Sequence, residues 1–239
     1  MGYRSFNEKT TLDDARERTE YTFEALDAHA APAVKDLAKS VSSHLDLCET
    51  VEKGRRTARR ATVRANARVR MRDGDTDDTM REFGKDVLAL VRQDRTAPLF
   101  RLFFPDPIAA VVNLSLAPEL DAIETMISSL GDHSVPPDFR KKWVPIWKKI
   151  VAAGREALDE RTAAARETVS SAMDVERWIS RADRLRRVID GALTKHAAEN
   201  GLSADFNDRF FPAASRTRKN GKSADNNPPR DVSPPATTG

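Results

Sequence analysis

Cysteine, glycine and long apolar runs are scarce in this chain, and each shortage removes a class of protein. Cys48 is the single cysteine, so no internal disulfide can form and a small fold stapled for an oxidising compartment is excluded. Only ten glycines, beside 39% hydrophobic and 32% charged residues, suit helices with solvated outer faces better than a sheet protein. The longest apolar run, residues 108–114, falls far short of the roughly 20 residues that cross a bilayer, so no membrane association is expected. The N-terminal residues lack the apolar core of a secretory signal, and Phe6 stands where a myristoylation signal requires Ser or Thr. A cytoplasmic protein is the expectation.

Catalytic punctuation is missing as well. The sequence has no Gly-rich phosphate loop, no Gly-x-Ser-x-Gly and no Cys-x-x-Cys. None of its four histidines (His29, His44, His133 and His196) has Glu three residues before it, the pattern of paired-metal helical bundles. His44, Cys48 and Glu52 share one helix face, but the outer two lie about 12 Å apart along the axis, too far to meet on one ion. Cys48 and His44 are neighbours at i and i+4, yet a thiol on an apolar stripe reads as packing. No catalytic, cofactor-binding or metal-ligating residue is assigned.

What the chain does have is helical periodicity. Over residues 33–73, steps of three and four give Val34, Leu37, Val41, His44, Cys48, Val51, Arg55, Ala58, Thr62, Ala65 and Val69, the stripe of a long helix packed lengthwise on others. Thr11, followed by Asp13 and Asp14, predicts the N-cap of a preceding helix. Pro32 suits the first turn of the long helix, Gly74 is its expected stop, and Met80, Phe83, Val87 and Leu90 mark a separate helix beyond. Residues 98–107 form an aromatic connector, and residues 115–130 another helix with Leu120, Ile123, Ile127 and Leu130 inward. From Pro137 a second long helix carries Trp143, Trp147, Ile150, Gly154, Ala157, Arg161, Ala164, Thr168, Ser171 and Val175, continuing through Trp178 to about Ala198 and closed by Asn200-Gly201. Pro145 predicts a kink or break within it.

The second half echoes the first. A shift of 106 superposes Thr62 on Thr168 and Arg55 on Arg161; a shift of 107 superposes Phe103-Phe104-Pro105 on Phe210-Phe211-Pro212. The expected fold is all-α: an antiparallel helical bundle built from two duplicated three-helix units with long central helices. The expected organisation is a loose N-terminal arm (1–10), helical repeat one (11–107), helical repeat two (108–212) sharing a core with it, and a disordered basic Pro-rich tail (213–239).

Charge gives the one positive clue to function. The tail holds five basic and two acidic residues, which accounts for the whole net charge of +3 and leaves residues 1–212 neutral, with 35 of each sign. Within that neutral body, residues 54–72 contain eight arginines and no acid. Arg56, Arg60, Arg64, Arg68 and Arg72 recur every four residues, and like charges at that spacing repel, so the stripe calls for anions. Those anions are supplied either by acids of neighbouring helices (Glu17, Glu20 and Glu24 of the first, or Asp159, Glu160 and Glu167 of the second long one) or by an external partner, and the neutrality of residues 1–212 favours the internal source. No aromatic residue interleaves the stripe, which argues against stacking on single-stranded bases. The expected function is a non-enzymatic helical interaction or scaffold protein that binds a protein partner, with a nucleic-acid or other polyanion binder using helix 54–72 and the tail as the alternative.

Overall fold

The computed structural model describes residues 3, 5–105 and 107–212, and the regular structure within them is entirely helical. Helix α1 (Leu12–Asp27) opens on a reciprocal cap: the Asp14 N–H donates to Thr11 Oγ1 at 3.1 Å, and the Asp14 carboxylate accepts the Thr11 N–H in return. Its inner face is Leu12, Ala15, Thr19, Thr22 and Leu26. Thr19 and Thr22 lie there as buried hydroxyls that donate to the carbonyls of Ala15 and Arg18 on their own helix.

Helix α2 (Pro32–Leu90) does not stop at Gly74. The three-four stripe of the long helix keeps its phase through that residue, with Val69, Thr76, Phe83 and Leu90 falling at seven-residue steps, so the medium helix is the continuation of the long one. Gly74 faces open space and has no left-handed backbone angle, so it acts as an ordinary helical residue. At 59 residues α2 is about 88 Å long. It ends where Arg92 and Gln93 take positive φ angles of 50° and 67°, followed by a turn in which Asp94 accepts from the Thr96 N–H and hydroxyl.

Short helices α3 (Pro98–Phe103) and α4 (Ile108–Val112) then lead to α5 (Leu116–Ser129) and to α6 (Pro137–Glu199). Helix α4 lies where the sequence showed only a short apolar run; its Ile108 side chain closes on Gly84, where an added Cβ would sit 2.6 Å away. Pro145 does not interrupt α6. Lys141, whose carbonyl would have received the missing N–H, is an exposed residue, so the proline falls where solvent is at hand rather than in the packed core. The C-terminus follows expectation, with Asn200 at the cap and Gly201 left-handed at φ 62°.

Helices α2 and α6 run antiparallel, since Phe83 packs on Trp147 while His44 stacks on Trp178. Aromatic and aliphatic side chains gather at the two extremities. One end joins Phe83, Phe103, Phe104, Leu120, Ile123, Trp143 and Trp147. The other joins Leu26, Val34, Val41, Ile189, Leu193, Phe206, Phe210 and Phe211, with Leu12, Ala15, Cys48, Trp178 and Ala182 beside them. Each end therefore draws on both halves of the sequence. The two Phe-Phe-Pro segments lie at opposite ends, the second within a 3-10 turn (Phe206–Phe210) and its C-cap. The arm before α1 is anchored at two points: the Tyr3 hydroxyl donates to Asp183, and the Phe6 N–H donates to the same carboxylate at 2.7 Å.

The continuity of α2 has a direct test. Gly74→Ala should raise stability by about 0.5–1 kcal/mol in chemical denaturation, because Ala is the better helix former at an unobstructed site. A loss of stability would mean that the helix ends there.

Candidate functional site: the arginine-rich waist

Between the two ends, α2 and α6 touch through small side chains. Ala58, Ala65, Ala157 and Ala164 are buried at their crossing, and the hydroxyls of Thr62 and Thr168 share a hydrogen bond of 2.9 Å. Such residues bring backbones close but bury little apolar area, so this waist is a two-helix ribbon. The sequence places its charge unevenly. Residues 54–72 of α2 carry eight basic and no acidic groups, and residues 155–175 of α6 carry three and five, a net +6 for the ribbon. Since residues 1–212 are neutral overall, the ends hold the compensating negative charge.

The five stripe arginines divide into two kinds. Arg56 lies 3.3 Å from Glu52 and Arg72 lies 2.9 Å from Asp75, both on their own helix, while Arg68 crosses to Glu160 of α6. Arg60 and Arg64 are exposed and form no ion pair among the described residues, and the same holds for Arg55, Arg59 and Arg70. Internal acids thus neutralise the flanks of the stripe and leave its middle open. Of the acids of α1, Glu20 pairs with Arg16 of its own helix, which also reaches Glu52 at 3.1 Å.

Two open grooves run along one face of the ribbon. The first, about 560 Å³, is lined by Arg64, Ala67, Arg68, Met71, Arg72 and Asp75 of α2 and by Ala153, Glu156, Ala157 and Glu160 of α6. Moving Arg68, Met71, Arg72 and Asp75 forward by 106 positions gives Asp174, Arg177, Trp178 and Arg181. Moving Ala153, Glu156, Ala157 and Glu160 back by 106 gives Leu47, Thr50, Val51 and Gly54. All eight line the second groove. The grooves correspond in position while their charges differ.

The reactive side chains Cys48 and His44 lie toward one end rather than at the Thr62–Thr168 crossing, and His44 also lines the second groove. Cys48 is fully buried, and burial pushes its thiol up to about 11, so it is un-ionised at neutral pH. His44 stacks on Trp178 at 4.7 Å, its carbonyl accepts the indole N–H at 3.0 Å, and burial lowers its pKa. Among the described residues no three His, Cys, Asp or Glu side chains are placed to hold a metal ion. One group escaped the sequence reading. Glu119 of α5 is 0% exposed, and neither carboxylate oxygen has a hydrogen-bond partner among the described residues. Burial, with the charges of Asp77 and Asp73 added, raises it from the usual 4.5 to about 8. Its place beside Leu120 and one turn after Leu116 on the apolar stripe was the available signal.

The chain matches no protein-family model, no curated protein and no solved structure. Among the described residues no helix is long and apolar enough to cross a membrane.

Two measurements check this arrangement. Arg68→Ala should lower stability by up to about 1 kcal/mol through loss of the half-exposed pair with Glu160. Arg60→Ala and Arg64→Ala should be neutral or slightly stabilising, since each relieves repulsion at four-residue spacing; equal losses at all three positions would refute the division. For Glu119 the folded pKa lies above the unfolded one, so the unfolded chain releases its proton first and stability falls as pH rises from about 4.5 to about 8. The slope from this one group is at most about 1.4 kcal/mol per pH unit. Glu119→Gln should remove that decline, matching the parent near pH 5 and exceeding it near pH 8; parallel curves would show that Glu119 ionises freely.

Proposed function

We propose that this chain is a non-enzymatic cytoplasmic scaffold, built from a duplicated helical unit spanning residues 11–107 and 108–212, that binds a protein partner across its waist. The observation that carries the reading is the set of five arginines, Arg55, Arg59, Arg60, Arg64 and Arg70, exposed on a two-helix segment with no ion pair among the described residues. A ribbon serving only to join two packed ends has no use for such a charge excess, which destabilises the helix bearing it. The duplication is supported by the two grooves whose linings correspond at a displacement of 106 and by the Thr62–Thr168 contact at that same displacement. The non-enzymatic reading is supported by the burial of Cys48 and Glu119 inside the ends, away from the exposed charge.

A polyanion such as duplex nucleic acid is the second reading, favoured by the acid-free run of residues 54–72. A photo-crosslinking residue in place of the exposed Asn66, introduced in the native host, separates the two. The expected product is a discrete adduct that protease destroys and nuclease leaves intact, and that disappears when Arg59, Arg60 and Arg70 are changed to Glu. A nuclease-sensitive adduct would install the polyanion reading, and no adduct at all would remove both.

A further inference from the structure

The face of the waist opposite the two grooves has a definite shape and chemistry. Helices α1 and α5 both lie on that face. Arg16 of α1 pairs with Glu52 of α2, while Asp121 and Glu124 of α5 pair with Arg155 of α6 and Glu119 approaches Asp73 and Asp77. Heptad stepping puts Glu52, Arg59, Asn66 and Asp73 on one line along α2. The two short helices therefore lie end to end over the α2–α6 furrow, with a vacant stretch between them. From Glu52 to Asp73 that stretch spans about 32 Å, the length of a helix of roughly 20 residues.

Its two rims differ. The α2 rim carries Arg56, Arg59 and Arg70 around Val63 and Asn66. The α6 rim carries Thr162, Ala165, Val169 and Ala172, with no charge among them. Val63 and Val169 are 63% and 62% exposed, large values for β-branched apolar side chains, and lie next to the Thr62–Thr168 floor. Arg59 and Arg70 form no ion pair among the described residues, and Arg56 has only the 3.3 Å contact with Glu52.

We infer that this stretch between α1 and α5 is a docking slot for an acidic amphipathic helix of a partner protein, about 20 residues long. The inference rests on the scaffold reading above and specifies its partner. An apolar stripe on the incoming helix covers Val63, Val169 and the alanines of α6, and its acidic flank meets the arginines of α2, completing the row that α1 and α5 begin. A second copy of this chain fits poorly, because its own waist brings the same positive charge. Nucleic acid would satisfy the arginine rim and leave the apolar rim uncovered.

The test uses the whole chain and a fluorescent synthetic peptide of roughly 20 residues, with Leu at three- and four-residue steps and Glu on the flanks. Fluorescence anisotropy at physiological salt should show one-to-one binding at least tenfold tighter than a scrambled peptide of identical composition. Val63→Asp with Val169→Asp should weaken it at least tenfold, as should Arg59→Glu with Arg70→Glu. Leu47→Asp with Met71→Asp, exposed on the opposite face, should leave it unchanged. All these positions are exposed, so folding is retained, and circular dichroism verifies it. Equal binding of the scrambled peptide, indifference to the valine changes, displacement by a 20-base-pair DNA duplex at equal affinity, or no binding would each overturn the slot. If the peptide fails while the Asn66 crosslink still yields a protein adduct, the slot alone falls; if both fail, the scaffold reading falls with it.

Discussion

Small side chains at the crossing of α2 and α6 let two helices of roughly 90 Å run in contact through their middle, with none of the other described helices laid over them. Everything else depends on the register set there. Thr62 opposite Thr168 fixes which turn of one helix meets which turn of the other. From that point the apolar positions of both stripes fall into step outward, toward Trp178 in one direction and Trp147 in the other. The cost of such a waist is weak local burial, since alanine and threonine contribute little apolar area. The rings and aliphatic chains at the ends hold the helices together instead. The middle is thus held from outside itself, which is why it can carry repelling arginines without coming apart.

The charge distribution follows from the same division of labour. An exposed ion pair contributes little, and among the described residues Arg68 with Glu160 is the only stripe ion pair that crosses from α2 to α6. A surplus of positive charge persists between two regions with a surplus of negative charge, although the body as a whole is neutral. That pattern shapes the field around the molecule more than it shapes its stability. It orients any charged partner relative to the long axis before contact is made.

Much of the helical layout was legible because local chemistry decides it. Thr11 with Asp14, Pro32, Pro137 and Asn200-Gly201 each act within a single turn, and the structure uses each as a boundary. Gly74 does not stop its helix and Pro145 does not break its own, for a shared reason. Both disfavour a helix locally, and both lie in helices whose two flanks are anchored by packed ends, so tertiary contacts outweigh about 1 and 3 kcal/mol of propensity. Helix α4 was invisible because its five residues gain their order from Ile108 against Gly84, a contact between distant elements. At the waist, the arginine stripe was plain in the sequence, but its partners were not. Neutrality of residues 1–212 pointed to internal pairing, whereas the acids are spent largely on neighbours within their own helices or at the ends. Glu119 was hidden by the usual expectation that a Glu near a helix start serves the dipole.

Because α2 and α6 each pass through both ends, the two ends are nested along the chain. The inner one is completed by residues between Val69 and Leu158. The outer one joins Tyr3 and the first turns of α2 to the last turns of α6 and Phe211. During synthesis the inner end has all its parts first, while the apolar face formed by Leu26, Val34 and Val41 waits for residues that arrive some 150 positions later. At common elongation rates that interval is roughly 10–30 s. A growing chain of this topology carries an unpaired hydrophobic stripe near its N-terminus for most of its time on the ribosome, and closes it only as the final aromatic turn emerges.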